Sequence, residues 1–196
     1  FSFDFPSFTA ALEGEGIGDL CDIKYMKLST AAWSLTGRAA VELIDGRPEA
    51  FTLSLDAPFM PYEEFKNLVP TAYLPVWLNE KILNCMSGGE VRVDRFALEG
   101  TFDELREFKL SNNPEFLSLM LTWNGIKYEV DGAEIPFEEV SGRLKVQEGN
   151  LDISDLSGRF AASEVHGGGF TASPVWKPES YISVLKGDFQ LGDLFH

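Results

Sequence analysis

The run LSGRFAASEVHGGGF, Leu156 to Phe170, holds four glycines, an Arg, a Glu and one of only two histidines in the chain. Chemistry there would need the glycines to cradle a phosphate and His166 to act as a base or a metal ligand. His166 is the only internal histidine, and neither an HExxH pattern nor a GxSxG elbow accompanies it. Ser163 and His166 stand three apart in an alternating run, so their side chains point to opposite faces and form no local pair. His166 therefore reads as a solvent-facing residue.

Other candidates thin out in the same way. GEGIG, Gly14 to Gly18, lacks the GxGxxG spacing and precedes a strand-like stretch rather than a helix, which leaves a pyrophosphate no helix N-terminus. A β-turn is the simpler reading. The carboxylate pairs Glu63/Glu64, Glu138/Glu139 and Asp152/Asp155 are what chance supplies among 31 acidic residues. A glycosidase would need two such groups across a cleft, one with a raised pKa. Asp19 and Asp22 offer two oxygens where Ca²⁺ wants six or more. Cys21 and Cys85 fit no metal spacing; they read as buried thiols, with a single disulfide in an oxidising compartment as the alternative. No catalysis, metal or cofactor is expected.

Bulk properties narrow the partners. A chain of 196 residues forms one large domain or two small ones and buries a real core. Its net charge of −15 repels phosphate, which disfavours nucleic acid and anionic lipid headgroups. Contact with acyl chains does not depend on that charge. No apolar stretch approaches the ~20 residues of a membrane span. Both ends are apolar, FSFDFPSF and GDLFH, and fit a segment of a longer protein, so a missing leader says little about compartment.

The elements that would position any site are mostly strands. Ile23–Thr30 and Trp33–Ile44 alternate, and Asp45-Gly46 predicts a hairpin into Phe51, Leu53 and Leu55. Two short helices interrupt this pattern over residues 61–86. Pro61 and Pro75 each start one at N1, and Leu74, Leu78, Ile82 and Cys85 form an apolar stripe that Ser87-Gly88-Gly89 ends. Strands resume at Val91, Phe116 and Ile126, with Asn124-Gly125 predicting a hairpin between the last two, and continue from Val140 onward. Thr36-Gly37-Arg38, Ser141-Gly142-Arg143 and Ser157-Gly158-Arg159 repeat one motif inside alternating strands. Glycines at matching places in successive strands allow a sheet to curve. The apolar surface left over must be covered by a second sheet, by the helices or by a ligand. Strands of about six residues span ~20 Å, comparable with one bilayer leaflet.

PFEEVSGRLKVQEGNLDISDLSGRFAASEVHGGGF resembles the repeating unit of the AsmA-like family, which includes the YhdP and TamB types. Pro136, Val140, Gly142, Leu151, Ile153, Leu156, Gly158, Val165 and Gly168 carry the pattern. LPVWLNEKILNCMSGGEVRVDRFALEGTFDEL and LTGRAAVELIDGRPEAFTLSLDAPFMPYEEFKNLVP are similar to preceding segments of the YhdP type. Members of the family are long and anchored in the inner membrane; the lack of an anchoring stretch among these 196 residues is what a segment of such a protein is expected to show.

The resemblance implies a mainly β fold, a strongly twisted antiparallel sheet curled into an open apolar groove of repeated hairpins. It covers 1–196 as one unit, with the helical insertion at 61–86 and a repeat-like β unit at 136–196. The implied role is in the periplasm: shielding phospholipid or other acyl-chain lipid between the inner and outer membranes. Flanking segments of the same chain and membrane-embedded proteins would be its partners. Lining residues are expected at Val41, Leu43, Phe51, Leu53, Leu55, Leu117, Leu119, Leu121, Val140, Leu144 and Val146. Leu151, Ile153, Leu156, Phe160 and Val165 extend the set. A non-transporting envelope scaffold is the rival, and a carbohydrate hydrolase using Glu138 and Glu139 is a third reading.

Overall fold

The computed structural model describes residues 9–69, 76–106, 114–129, 135–174 and 180–188. Its strands are β1 (Thr9–Ile17), β2 (Leu20–Ser29), β3 (Ser34–Ile44), β4 (Arg47–Pro61), β5 (Met86–Ser87) and β6 (Glu90–Thr101). They continue as β7 (Leu117–Tyr128), β8 (Phe137–Gln147), β9 (Asn150–Phe160), β10 (Ser163–Ser173) and β11 (Ser180–Asp188). All belong to one open antiparallel sheet in the order β1-β2-β3-β4-β6-β7-β8-β9-β10-β11, with β5 beside the end of β7. Apart from β5, each strand pairs with its successor, as expected for short hairpin connections. The mainly β expectation holds.

Turn chemistry explains the tight hairpins. Asp45 and Gly46 take φ of 52° and 72°, and Glu148 and Gly149 take 50° and 71°. Both fit the type I′ turn, whose twist matches that of the flanking strands. Asn124-Gly125 behaves differently from the expected hairpin. It lies inside β7, where Gly125 has φ of 67° and the register shifts between Trp123 and Ile126. Here the dipeptide makes a bulge, and β7 runs on to pair Lys127 and Tyr128 with β5. Ser141 Oγ donates to Asn124 Oδ1 at 2.8 Å and accepts from the Gly125 N–H at 3.4 Å, which pins the bulge.

The helical insertion is present but shorter than its apolar stripe predicts. Helix α1 spans Tyr62–Leu68, with Pro61 at the N-cap rather than N1, and α2 spans Val76–Lys81. A 3-10 turn, Leu83–Cys85, then leads directly into β5, so the helix ends before Ser87-Gly88-Gly89. The competing pairing of Met86 and Ser87 with β7 takes that backbone. Leu74 and Pro75 lie outside the described residues, as do residues 175–179 and 189–196 of the repeat-like unit. Both cysteines are free, and Cys21 is exposed rather than buried.

A third helix, α3 (Phe102–Arg106), follows β6. Its start is a capping box. Glu104 Oε2 accepts from the Thr101 N–H at 2.7 Å, and the Glu104 N–H donates to Thr101 Oγ1 at 3.2 Å. Among the described residues no helix is long and apolar enough to cross a membrane.

Candidate apolar groove

In an antiparallel ladder, directly paired residues share a face. One row of pairs runs Leu12–Met26–Gly37–Leu55–Phe96–Leu119–Val146–Leu151–Ala172, across β1 to β10 without a polar side chain. A parallel row runs Val93–Leu121–Leu144–Ile153–Phe170. The neighbouring row Arg95–Met120–Lys145–Asp152–Thr171 belongs to the opposite, largely polar face. The sheet therefore has one apolar face and one polar face, the usual division for antiparallel sheets with a single covered side.

All sixteen residues expected to line a groove fall on the apolar face. Val41 pairs with Phe51, Leu53 with Leu98 and then Leu117, and Phe137 with Phe160, whose rings lie 4.8 Å apart. Leu43 follows Val41 by two in β3, and Val140 pairs with Ile126. Val165 faces Gly158, and with Leu156 and Val140 it borders one cavity.

Bulges keep them together. Glu139 and Asp155 adopt φ of 54° within β8 and β9, and the register shifts there. Strict alternation from Ile153 would send Leu156 outward; the extra residue at Asp155 returns it to the apolar face.

Cover over this face is uneven. At the β1 edge Leu12 is 70% exposed, whereas Leu151 and Ala172 are 1% exposed at the other end of the row. Val41, Leu43, Leu53 and Leu55 are partly exposed. Tyr62 and Phe65 of α1 and Leu78 of α2 cap the middle and join the core with Leu121, Leu144 and Ile153, and Leu83 is buried as well. Tyr62 Oη donates to the Leu83 carbonyl at 2.6 Å and Tyr128 Oη to the Lys81 carbonyl at 2.7 Å, fastening the cap to itself and to β7. Burial pushes both phenols above the ordinary tyrosine pKa, so both remain protonated donors at neutral pH.

Between cap and sheet lies a cavity of about 340 Å³, within the range of small-molecule sites. Side chains from α1 and from β6 to β11 border it, which requires the sheet to curl around it. None of its lining residues carries a charge. Trp123 is among them. The indole lies across Gly142, where a Cβ would come within 2.9 Å of Cζ2 and 3.1 Å of Cε2. Absence of a side chain at Gly142 makes room for the ring.

Polar groups with conceivable chemistry sit elsewhere. His166 Nε2 lies 3.3 Å from Glu164 and 3.4 Å from Asp188, all three side chains exposed. Ser163 is fully buried on the apolar face, so the two do not meet. Arg159 binds Glu138 at 2.9 Å and reaches Glu139 at 3.5 Å; these exposed ion pairs tie β8 to β9, and the Glu138 contact raises the Arg159 pKa. Asp155 lies 3.6 Å from Arg143. Among the described residues no group of three His, Cys, Asp or Glu is placed to hold a metal. Comparison of the chain with protein-family models, with curated proteins and with solved structures found no match in any of the three.

Proposed function

We propose that this chain is a segment of a lipid transport protein that bridges the periplasm, its groove shielding phospholipid acyl chains on their way between the inner and outer membranes. The observation that carries the reading is the apolar row across β1 to β10, open at one end and backed by a polar face. An acyl chain laid along it would gain about 0.8 kcal/mol per buried CH₂, without any charged group to attract it. The acidic exterior suits a partner recognised by its tails rather than by an anionic headgroup. Flanking segments of a longer chain, and membrane-embedded proteins that load and unload lipid, complete this proposal.

A scaffold that carries no lipid is the second reading, and the packed β8–β9 part of the apolar face favours it: Leu144, Val146 and Leu151 are already buried by protein. Lipid retention separates the two. After incubation with phosphatidylcholine vesicles and gel filtration, mass spectrometry of the protein fraction is expected to find bound phospholipid. A folded protein that emerges lipid-free supports the scaffold instead.

A further inference from the structure

The cavity beneath α1 grades from shut to open along one row of the ladder. Leu121, Leu144, Ile153, Phe170 and Ser183 pair in succession across β7 to β11. The first three are buried, Phe170 is half-buried, and Ser183, on the edge strand among the described residues, is exposed. Toward α1 the cavity is closed by Tyr62, Val91 and Ile126, none more than 2% exposed. The space therefore runs from a shut end under the cap to the sheet edge at β11.

Chemistry and size together choose the occupant. The lining carries no charge, and the phenols of the cap region are already spent, Tyr62 on the Leu83 carbonyl and Tyr128 on the Lys81 carbonyl. Its serines, Ser157 and Ser183, belong to β9 and β11 rather than to the capped end. A charged or strongly polar group would be desolvated under α1 without a partner, whereas a hydrocarbon loses nothing there. The volume of about 340 Å³ sets the length. It is roughly twice the ~150 Å³ that holds a benzene ring, so it takes about twelve carbons. That is most of one acyl chain and far less than two.

We propose that this cavity is a blind pocket for the methyl end of a single acyl chain, entered from the β11 side and selective for chain length. The proposal deepens the lipid-transport reading and rests on it: one tail is held beneath α1, while the head group and any second tail stay outside. Carbons beyond the capacity of the pocket extend past Ser183 and gain little from burial.

The test titrates the whole chain with lysophosphatidylcholines from octanoyl to palmitoyl, whose zwitterionic head avoids repulsion by the net charge of −15. Affinity should rise about fourfold per added CH₂ until the chain reaches about twelve carbons, and then level off. Ile153→Trp shortens the pocket and should move that break to shorter chains. If this core variant folds poorly, Ser183→Trp at the exposed mouth should weaken binding of the lauroyl lipid at least about fourfold, the equivalent of one buried CH₂. A rise that continues undiminished to palmitoyl, or binding that neither variant changes, overturns the blind pocket while the groove stands. Failure to bind any member of the series also overturns the pocket, and retention of diacyl phosphatidylcholine then shows whether the groove reading falls with it.

Discussion

Leu53→Asp is expected to reduce phospholipid retention at least about tenfold while the sheet remains folded. Leu53 stands between Ala39 and Leu98 on the apolar face, in the partly exposed stretch that α1 and α2 do not cover. A carboxylate there keeps some water in the free protein, so its effect on folding should stay near 1 kcal/mol. For a chain of this length that is a shift of about 2–4 °C in Tm. An acyl chain lying over the same position would strip that water away. Desolvating an unpaired charge is worth more than the ~1.4 kcal/mol that a tenfold change requires. Ser54→Asp, one residue along and on the polar face, should leave both retention and Tm nearly unchanged. The pair isolates the face, since charge and location along the strand are otherwise the same.

The largest effect on stability is expected at Ile126. It is fully buried, pairs with Val140 just beyond the Asn124-Gly125 bulge, and lines the cavity beneath the cap. Ile126→Ala removes three carbons where the packed surroundings relax only in part, and such truncations cost about 2–5 kcal/mol. A thermal scan should show Tm lower by about 4–20 °C. Leu12→Ala, at 70% exposure on the same face, should fall within about 0.5 kcal/mol of the native protein. The contrast follows from where the cap lies, as the two residues share their chemistry and their face.

Much of the apolar face was legible because strand periodicity is two and these strands alternate cleanly. Phe51, Leu53 and Leu55, and likewise Leu117, Leu119 and Leu121, could be placed together from spacing alone. The step of three from Ile153 to Leu156 could not. It depends on Asp155 adopting a positive φ, which Asp tolerates better than most residues but which an Asp in an alternating run does not by itself demand. Asn124-Gly125 shows the same limit, since the dipeptide suits both a type I′ turn and a glycine bulge. Pairing decides between them. Gly89 approaches the bulge so closely that a Cβ there would sit 2.5 Å from the Asn124 carbonyl, and β5 extends the ladder beyond it.

Helix α3 was not expected from the sequence, although its start carries a signal. Thr101-Phe102-Asp103-Glu104 is a capping-box sequence, hidden by its position at the end of a long alternating strand. Trp123 was not identifiable as a cavity residue. Its ring occupies the space over Gly142, which only the pairing of β7 with β8 creates. His166, read from the sequence as a solvent-facing strand residue, and the glycines after it lie in β10. His166 is on the polar face beside Glu164 and Asp188, and Gly167, with φ of 148°, marks a register shift in β10.

The face that carries lipid can be tested by photo-crosslinking. Benzoylphenylalanine placed singly at Leu53 and at Ser54 and irradiated in the presence of phosphatidylcholine vesicles reports which side of β4 meets acyl chains. Lipid adducts are expected at position 53 and not at position 54. Adducts at 54 as abundant as those at 53, or none at 53, would contradict the groove.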